Sequence, residues 1–177
     1  MLSESDRCLK MVAAALEDEE KAIALYENAV AVCNIELATE IFQMLLAQER
    51  DHIKRLKAIY SSLQSGEAWS DLWKYEKVED EGLREFFEDQ ITQSVHKIKA
   101  KSGDLQTLEI GITMEQESIE FYENHLENAT DPLEREFLTF LIDQERVHFA
   151  VLQDLKLFFS DPESWFIEKE RHAMDGA

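Results

Sequence analysis

The pentapeptide QERDH at residues 48–52 returns as QERVH at 144–148, and the chain around it repeats as well. Displaced by 96 residues, EEKAIALYEN (19–28) overlays EQESIEFYEN (115–124). The register pairs Glu19 with Glu115, Tyr26 with Tyr122, Glu49 with Glu145 and His52 with His148. Within each copy the two glutamates lie 30 residues apart. A solenoid needs about three repeats to bury its faces, so two copies describe a duplicated helical hairpin instead.

Both halves of each copy carry a helical period. In the first segment Val12, Leu16, Glu19, Ile23, Tyr26, Val30 and Cys33 follow one another in alternating steps of four and three. Leu105, Leu108, Ile112, Glu115, Ile119, Tyr122, Leu126 and Ala129 alternate in the same way in the third, and the second follows Ile41, Leu45, Glu49, His52, Leu56, Ile59 and Leu63 in steps of four or three. The fourth gives Leu133, Phe137, Leu141, Glu145, His148, Leu152, Leu155 and Phe159. That spacing marks the inward stripe of an amphipathic helix. Only 5 Gly and 2 Pro interrupt the 177 residues, which favours long helices over a turn-rich β fold.

Residue 34 lies midway between Glu19 and Glu49, where Asn34 is expected to cap the second helix. Residue 130 lies midway between Glu115 and Glu145, where Asp131 can cap and Pro132 suits a first helical turn. Residues equidistant from an antiparallel turn face each other, here about 22 Å from it. The predicted fold is therefore all-α, a four-helix bundle in one domain made of two antiparallel hairpins, about 3–65 and about 104–160. A crossover at about 66–103 is long enough to run the length of the bundle, so the second hairpin packs antiparallel to the first. It should hold a short helix in EDEGLREFFEDQ. The C-terminal segment 161–177 reads as an Asp cap, a Pro and a short helix that docks Trp165 and Phe166 on the bundle or a partner.

This fold places Glu19, Glu49, His52, Glu115, Glu145 and His148 in one buried layer. Unpaired buried charges cost several kcal/mol each, so four carboxylates need protons, arginine partners or metal ions. Arg50 and Arg146 lie one residue off the inward face. Two divalent cations would balance four carboxylates, and each neutral imidazole would complete one position. The mixed oxygen and nitrogen donors suit iron or manganese, with zinc as a substitute. Each piece alone has a bland reading: Glu-x-x-His is usually a solvated pair, an inward His a satisfied core residue, and Tyr26 and Tyr122 core aromatics. Their conjunction on four inward stripes at matched spacing decides for a dinuclear metal site.

A net charge of −20 argues against nucleic acid and anionic membrane as partners. No apolar run reaches the roughly 18 residues of a membrane span, and the acidic start MLSESDRCLK lacks the features of a signal peptide, so the cytoplasm is expected. Cys8 and Cys33 form no Cys-x-x-Cys pair, which excludes a rubredoxin-type iron centre or a zinc ribbon.

Four stretches, LEDEEKAIALYENA, LLAQERDHIKRL, TMEQESIEFYENHL and LIDQERVHFAVL, closely resemble rubrerythrin-like members of the ferritin-like superfamily. The resemblance implies a di-iron centre that reacts with hydrogen peroxide or dioxygen. It implies that Glu49 and Glu145 bridge the metals, and that Glu19, Glu115, His52 and His148 are terminal ligands. It makes Tyr26 and Tyr122 hydrogen-bond donors to ligand carboxylates. The rubredoxin part of full rubrerythrins is absent, so electrons are expected from ferrous iron or an external donor. A homodimer is also implied, and Trp69, Trp73 and Trp165 are expected to mediate it. A ferroxidase that handles iron and a helical interaction protein with a structural metal are the alternatives. Full rubrerythrins carry a further ligand carboxylate one turn past the helix-three glutamate, where this chain has Ser118. Glu117 is rotated about 200° from the site on a regular helix, and only a π-bulge would return it. The expected centre is thus a symmetric one of six ligands, with His52 bound in both oxidation states.

Overall fold

A computed structural model describes residues 4–75, 82–93 and 100–175. Its elements are α1 (Glu4–Val32), α2 (Glu36–Gln64), α3 (Leu83–Gln93), α4 (Ser102–Asn128), α5 (Pro132–Ser160) and α6 (Pro162–Asp175), with a 3-10 turn at Leu72–Tyr75. No strand occurs among the described residues. Helix α1 packs along α2 and α4 along α5, while thinner contacts of α1 with α4 and α2 with α5 join the two hairpins. This is the all-α bundle that the repeat predicts, and the ferritin-like one that the resemblance implies.

Both turns fall where the matched glutamates place them. The second follows expectation closely: Asp131 accepts from the backbone N–H groups of Leu133 and Glu134, with Pro132 opening α5. The first differs. Ile35, not Asn34, is the N-cap of α2, in extended conformation and without a side-chain cap. Ile35 packs against the core, and the Asn34 amide instead donates to Val32 O at the end of α1. Burial of an apolar residue thus outweighs a capping hydrogen bond in this three-residue turn.

The core falls into two apolar clusters. One gathers Tyr26, Ile41, Phe42, Leu45, Phe87, Leu152 and Phe158. The other gathers Val12, Leu56, Ile59, Trp69, Trp73, Tyr122, Phe137 and Leu141. Between them each bundle helix carries a buried polar band, most extensively α2, with Gln48, Glu49, Asp51, His52 and Arg55. The stripes of α2 and α5 are fully buried at nearly every position, whereas Leu16, Ile23, Ile112 and Ile119 of α1 and α4 are half-buried.

Helix α3 begins within the stretch expected to be helical, runs three residues past its end at Gln90, and packs on α2 and α5. The tryptophans correct the sequence reading. Trp69 is 8% exposed, Trp73 5% and Trp165 5%, so none is available to a partner. Trp73 lies 5.2 Å from both Phe137, edge-on, and Phe140, tilted, while Trp165 sits edge-on to Phe87 and Phe158. These rings clamp the crossover and the last helix to the bundle, because a hydrophobic face as large as an indole gains most by covering the core of its own chain. Phe166, by contrast, keeps 37% of its surface exposed. No helix among the described residues is long and apolar enough to cross a membrane.

Candidate metal centre

Each bundle helix presents its carboxylate at the same height. Glu19 and Glu115 come from α1 and α4, and Glu49 with His52 and Glu145 with His148 from α2 and α5. All six are at most 4% exposed. One donor atom from each of Glu19, Glu49, His52 and Glu145 lies within 4.8 Å of the others, and the same holds for Glu49, Glu115, Glu145 and His148. The two sets overlap in Glu49 and Glu145, one from each hairpin. His52 Nδ1 stands 3.0 Å from Glu49, 3.2 Å from Glu145 and 3.4 Å from Glu19. His148 Nδ1 stands 3.1 Å from both Glu49 and Glu145 and 3.8 Å from Glu115. The two imidazoles stack with centroids 5.6 Å apart.

The tyrosines link the hairpins crosswise. Tyr122 of the second hairpin donates to Glu19 Oε1 of the first at 2.6 Å, and Tyr26 of the first donates to Glu115 Oε1 of the second. Each outer carboxylate is therefore held by one oxygen and turns the other toward the centre. Gly111, one turn before Glu115, makes room for Leu152: a Cβ there would stand 3.2 Å from Leu152 Cδ1, and at an ordinary contact distance of 3.8 Å from the Tyr26 ring.

Electrostatics separate the six groups into two kinds. Burial, reinforced by Glu49, holds the Glu19 carboxyl well above the usual carboxylate range. Burial and Glu145 do the same to Glu115. Burial also opposes charge on the shared pair, yet the imidazoles outweigh it, so Glu49 and Glu145 are held below the ordinary carboxylate value. Burial opposes the imidazolium form of both histidines, but Glu19 and Glu145 raise His52, and Glu49 raises His148. The shifts thus favour charge on the two histidines and the two shared glutamates and disfavour it on Glu19 and Glu115.

Hydrogen bonding does not satisfy that layer. Glu49 Oε1, both oxygens of Glu145 and His148 Nδ1 are buried and make no hydrogen bond of acceptable geometry. They are the atoms that converge on the centre. Buried polar atoms are otherwise almost always paired, so unpaired ones facing each other mark a place for a cation. Hard carboxylate oxygens with two imidazole nitrogens suit a first-row transition metal.

Several neighbours were not legible in the sequence. Gln48 is 5% exposed and its Oε1 lies 2.7 Å from His148 Nε2. Arg55, 2% exposed, donates to the Trp73 carbonyl and lies over the Phe140 ring at 5.1 Å. Phe140 in turn stands edge-on to His52 at 6.4 Å. The QER repeat is the one signal that could have pointed to Gln48, since it places Gln beside Glu in both copies. Arg50 and Arg146 do stay outside, paired with Glu27 and Glu123 on the surface. Helix α4 passes Ser118 as regular α-helix, and Glu117 is exposed.

No curated protein and no solved structure gives a significant match to this chain. A family model described as Rubrerythrin matches residues 10–156, a span that contains all six residues of the cluster and both tyrosines. With a match over most of its length, enclosing a buried glutamate and histidine cluster of metal-binding character, the chain belongs to the rubrerythrin family.

Proposed function

We propose that this protein is a non-haem di-iron protein whose centre reacts with hydrogen peroxide or dioxygen, an oxidoreductase of oxidative-stress defence. The observation that carries the proposal is the pair of four-donor sets sharing Glu49 and Glu145. Four carboxylates match the charge of two divalent ions: Glu49 and Glu145 would be shared by both, Glu19 and His52 would complete one position, and Glu115 and His148 the other. Iron is the native metal in this reading, and manganese or zinc are substitutes. Two ferrous ions would supply the two electrons that, with two protons, convert hydrogen peroxide to two waters.

The chain's own contribution is to position and to insulate. Tyr122 and Tyr26 fix one oxygen of each outer carboxylate and leave the other to the metal. Burial and the facing Glu115 or Glu19 hold both phenols well above their ordinary pKa, so they remain donors at neutral pH. Apolar clusters on both sides exclude water from the layer. In this reading re-reduction falls to ferrous iron or an external donor. With Ser118 and the exposed Glu117 offering no seventh ligand, the proposal includes a six-ligand centre that keeps His52 in both oxidation states. Peroxide preference would then be weaker than in full rubrerythrins. A cytoplasmic homodimer also belongs to this reading, joined by surfaces other than the three buried tryptophans.

Ferroxidase activity in iron handling is the second reading, and the net charge of −20, which attracts cations, favours it. Stopped-flow oxidation of the ferrous-loaded protein by peroxide and by dioxygen, in parallel, separates the two. Oxidation by either oxidant with the iron retained in the centre supports the first reading, and oxidation followed by release of ferric iron and repeated turnover of added ferrous iron supports the second. Ferrous protein inert to both oxidants would leave only a structural metal and overturn the proposal.

A further inference from the structure

The two halves of the centre are matched in their donors but not in what supports them. His148 is fully buried, and its Nε2 lies 2.7 Å from Gln48 Oε1 while its Nδ1 faces Glu49 and Glu145 at 3.1 Å. A neutral imidazole carries one N–H. With that proton on Nε2, donated to the Gln48 amide oxygen, the Nδ1 lone pair points at the carboxylates, where a cation would sit. The hydrogen bond thus selects the ligating tautomer and fixes the ring.

The first hairpin supplies the internal comparison. His52 Nδ1 faces Glu49 and Glu145 at 3.0 and 3.2 Å, much as His148 does. Gln144, the counterpart of Gln48 in the repeat, is half-buried, and among the described residues no hydrogen bond joins it to His52. The ring of His52 is flanked instead by the edge of Phe140, whose counterpart in the other copy is Met44. The two glutamines occupy the same register in sequence, so packing, not the motif, distinguishes them.

We infer that Gln48 is a positioning residue that makes the two metal positions unequal, so that the Glu115–His148 position holds its ion more tightly than the Glu19–His52 position. The inference rests on the dinuclear reading and adds an order of filling to it. Partners that orient a ligating histidine typically change metal affinity by about 10–100-fold. The effect should fall on one position, because the Gln48 amide reaches His148, which belongs to only one of the two donor sets.

Titration of the full-length, chelator-stripped protein with cobalt(II), followed by calorimetry and visible absorption, tests this. The wild type should bind in two unequal steps. Gln48→Leu should weaken the tighter step by about 10–100-fold and leave the other within about twofold, whereas Gln144→Leu should move neither. Two wild-type steps that Gln48→Leu leaves unchanged, or that Gln144→Leu weakens equally, would overturn the inference while leaving the metal reading intact. Wild-type protein that takes up no cobalt would overturn both. Should Gln48→Leu not fold, nitrogen-15 spectra of the zinc-loaded wild type give the same decision. The Nε2 proton of His148 should exchange with solvent far more slowly than that of His52, and equal exchange would refute the assignment.

Discussion

Replacing Tyr122 with Phe removes one hydroxyl and keeps the ring that fills the core, so it isolates the hydrogen bond to Glu19. That bond is 2.6 Å long and buried, with Tyr122 1% and Glu19 4% exposed. In metal-loaded protein Glu19 is ionised, and loss of a hydrogen bond to a charged group costs about 1.5–3 kcal/mol. In chelated protein burial raises the Glu19 pKa and favours its neutral form, for which the loss should be nearer 1 kcal/mol, the value for neutral partners. For a chain of this size each kcal/mol lowers the melting temperature by about 2–4 °C. Calorimetry should therefore show a drop of roughly 3–12 °C in the loaded form and roughly 2–4 °C in the chelated form. The difference between the two forms, about 0.5–2 kcal/mol, appears as a roughly 2- to 30-fold loss of metal affinity. Tyr26→Phe should reproduce the pattern through Glu115. Equal melting losses in the two forms, with metal affinity unchanged, would refute the assignment of these hydroxyls to ligand carboxylates.

Glu49→Ala removes a carboxylate shared by both donor sets and should reduce tight metal uptake to near zero by elemental analysis, whereas Glu117→Ala, on the exposed side of α4, should leave it unchanged. Chelated protein should melt highest near pH 4.5, because the raised Glu19 and Glu115 carboxyls lose stability as pH rises above the unfolded value toward their folded ones. Glu49 and Glu145 have lowered pKa values, so their contribution is present above the unfolded value of 4.5 and is lost as pH falls through the folded one. His52 and His148 have raised values, so theirs is complete below 6.5 and is lost as pH rises through the folded one, and a melting temperature that climbs from pH 6 to pH 8.5 would contradict this. Trp165→Ala should cost about 3–5 kcal/mol in urea unfolding without altering the oligomeric state in sedimentation, since the indole is buried within its own chain.

The bundle was legible because the repeat, the helical period and the turn positions all agree on it. Glu19, Glu49 and their counterparts announce their facing through equal distances from two turns, a constraint that survives any error of a residue or two in helix ends. Other features depend on tertiary packing, to which a stripe pattern is blind. Ile35 rather than Asn34 caps α2 because burial outweighs capping chemistry there. Trp69 and Trp73 read as surface aromatics because their crossover has no helical period, yet Phe137 and Phe140 offer them a face. Gln48 and Gln144 are indistinguishable in sequence, and only the packing of the two hairpins brings one against a histidine. Arg55 lies on the edge of the polar band, where its buried guanidinium is matched by a backbone carbonyl that no local motif reveals.

The most direct test is a crystal structure of the anaerobically iron-loaded protein, with anomalous scattering recorded on either side of the iron absorption edge. Two iron peaks per chain are expected. One should lie among Glu19, Glu49, His52 and Glu145, the other among Glu49, Glu115, Glu145 and His148. Glu117 should remain in solvent in both the reduced and the oxidised crystals. A single peak, no peak in this layer, or an oxidised form in which His52 releases its iron while Glu117 swings in would contradict the six-ligand dinuclear centre.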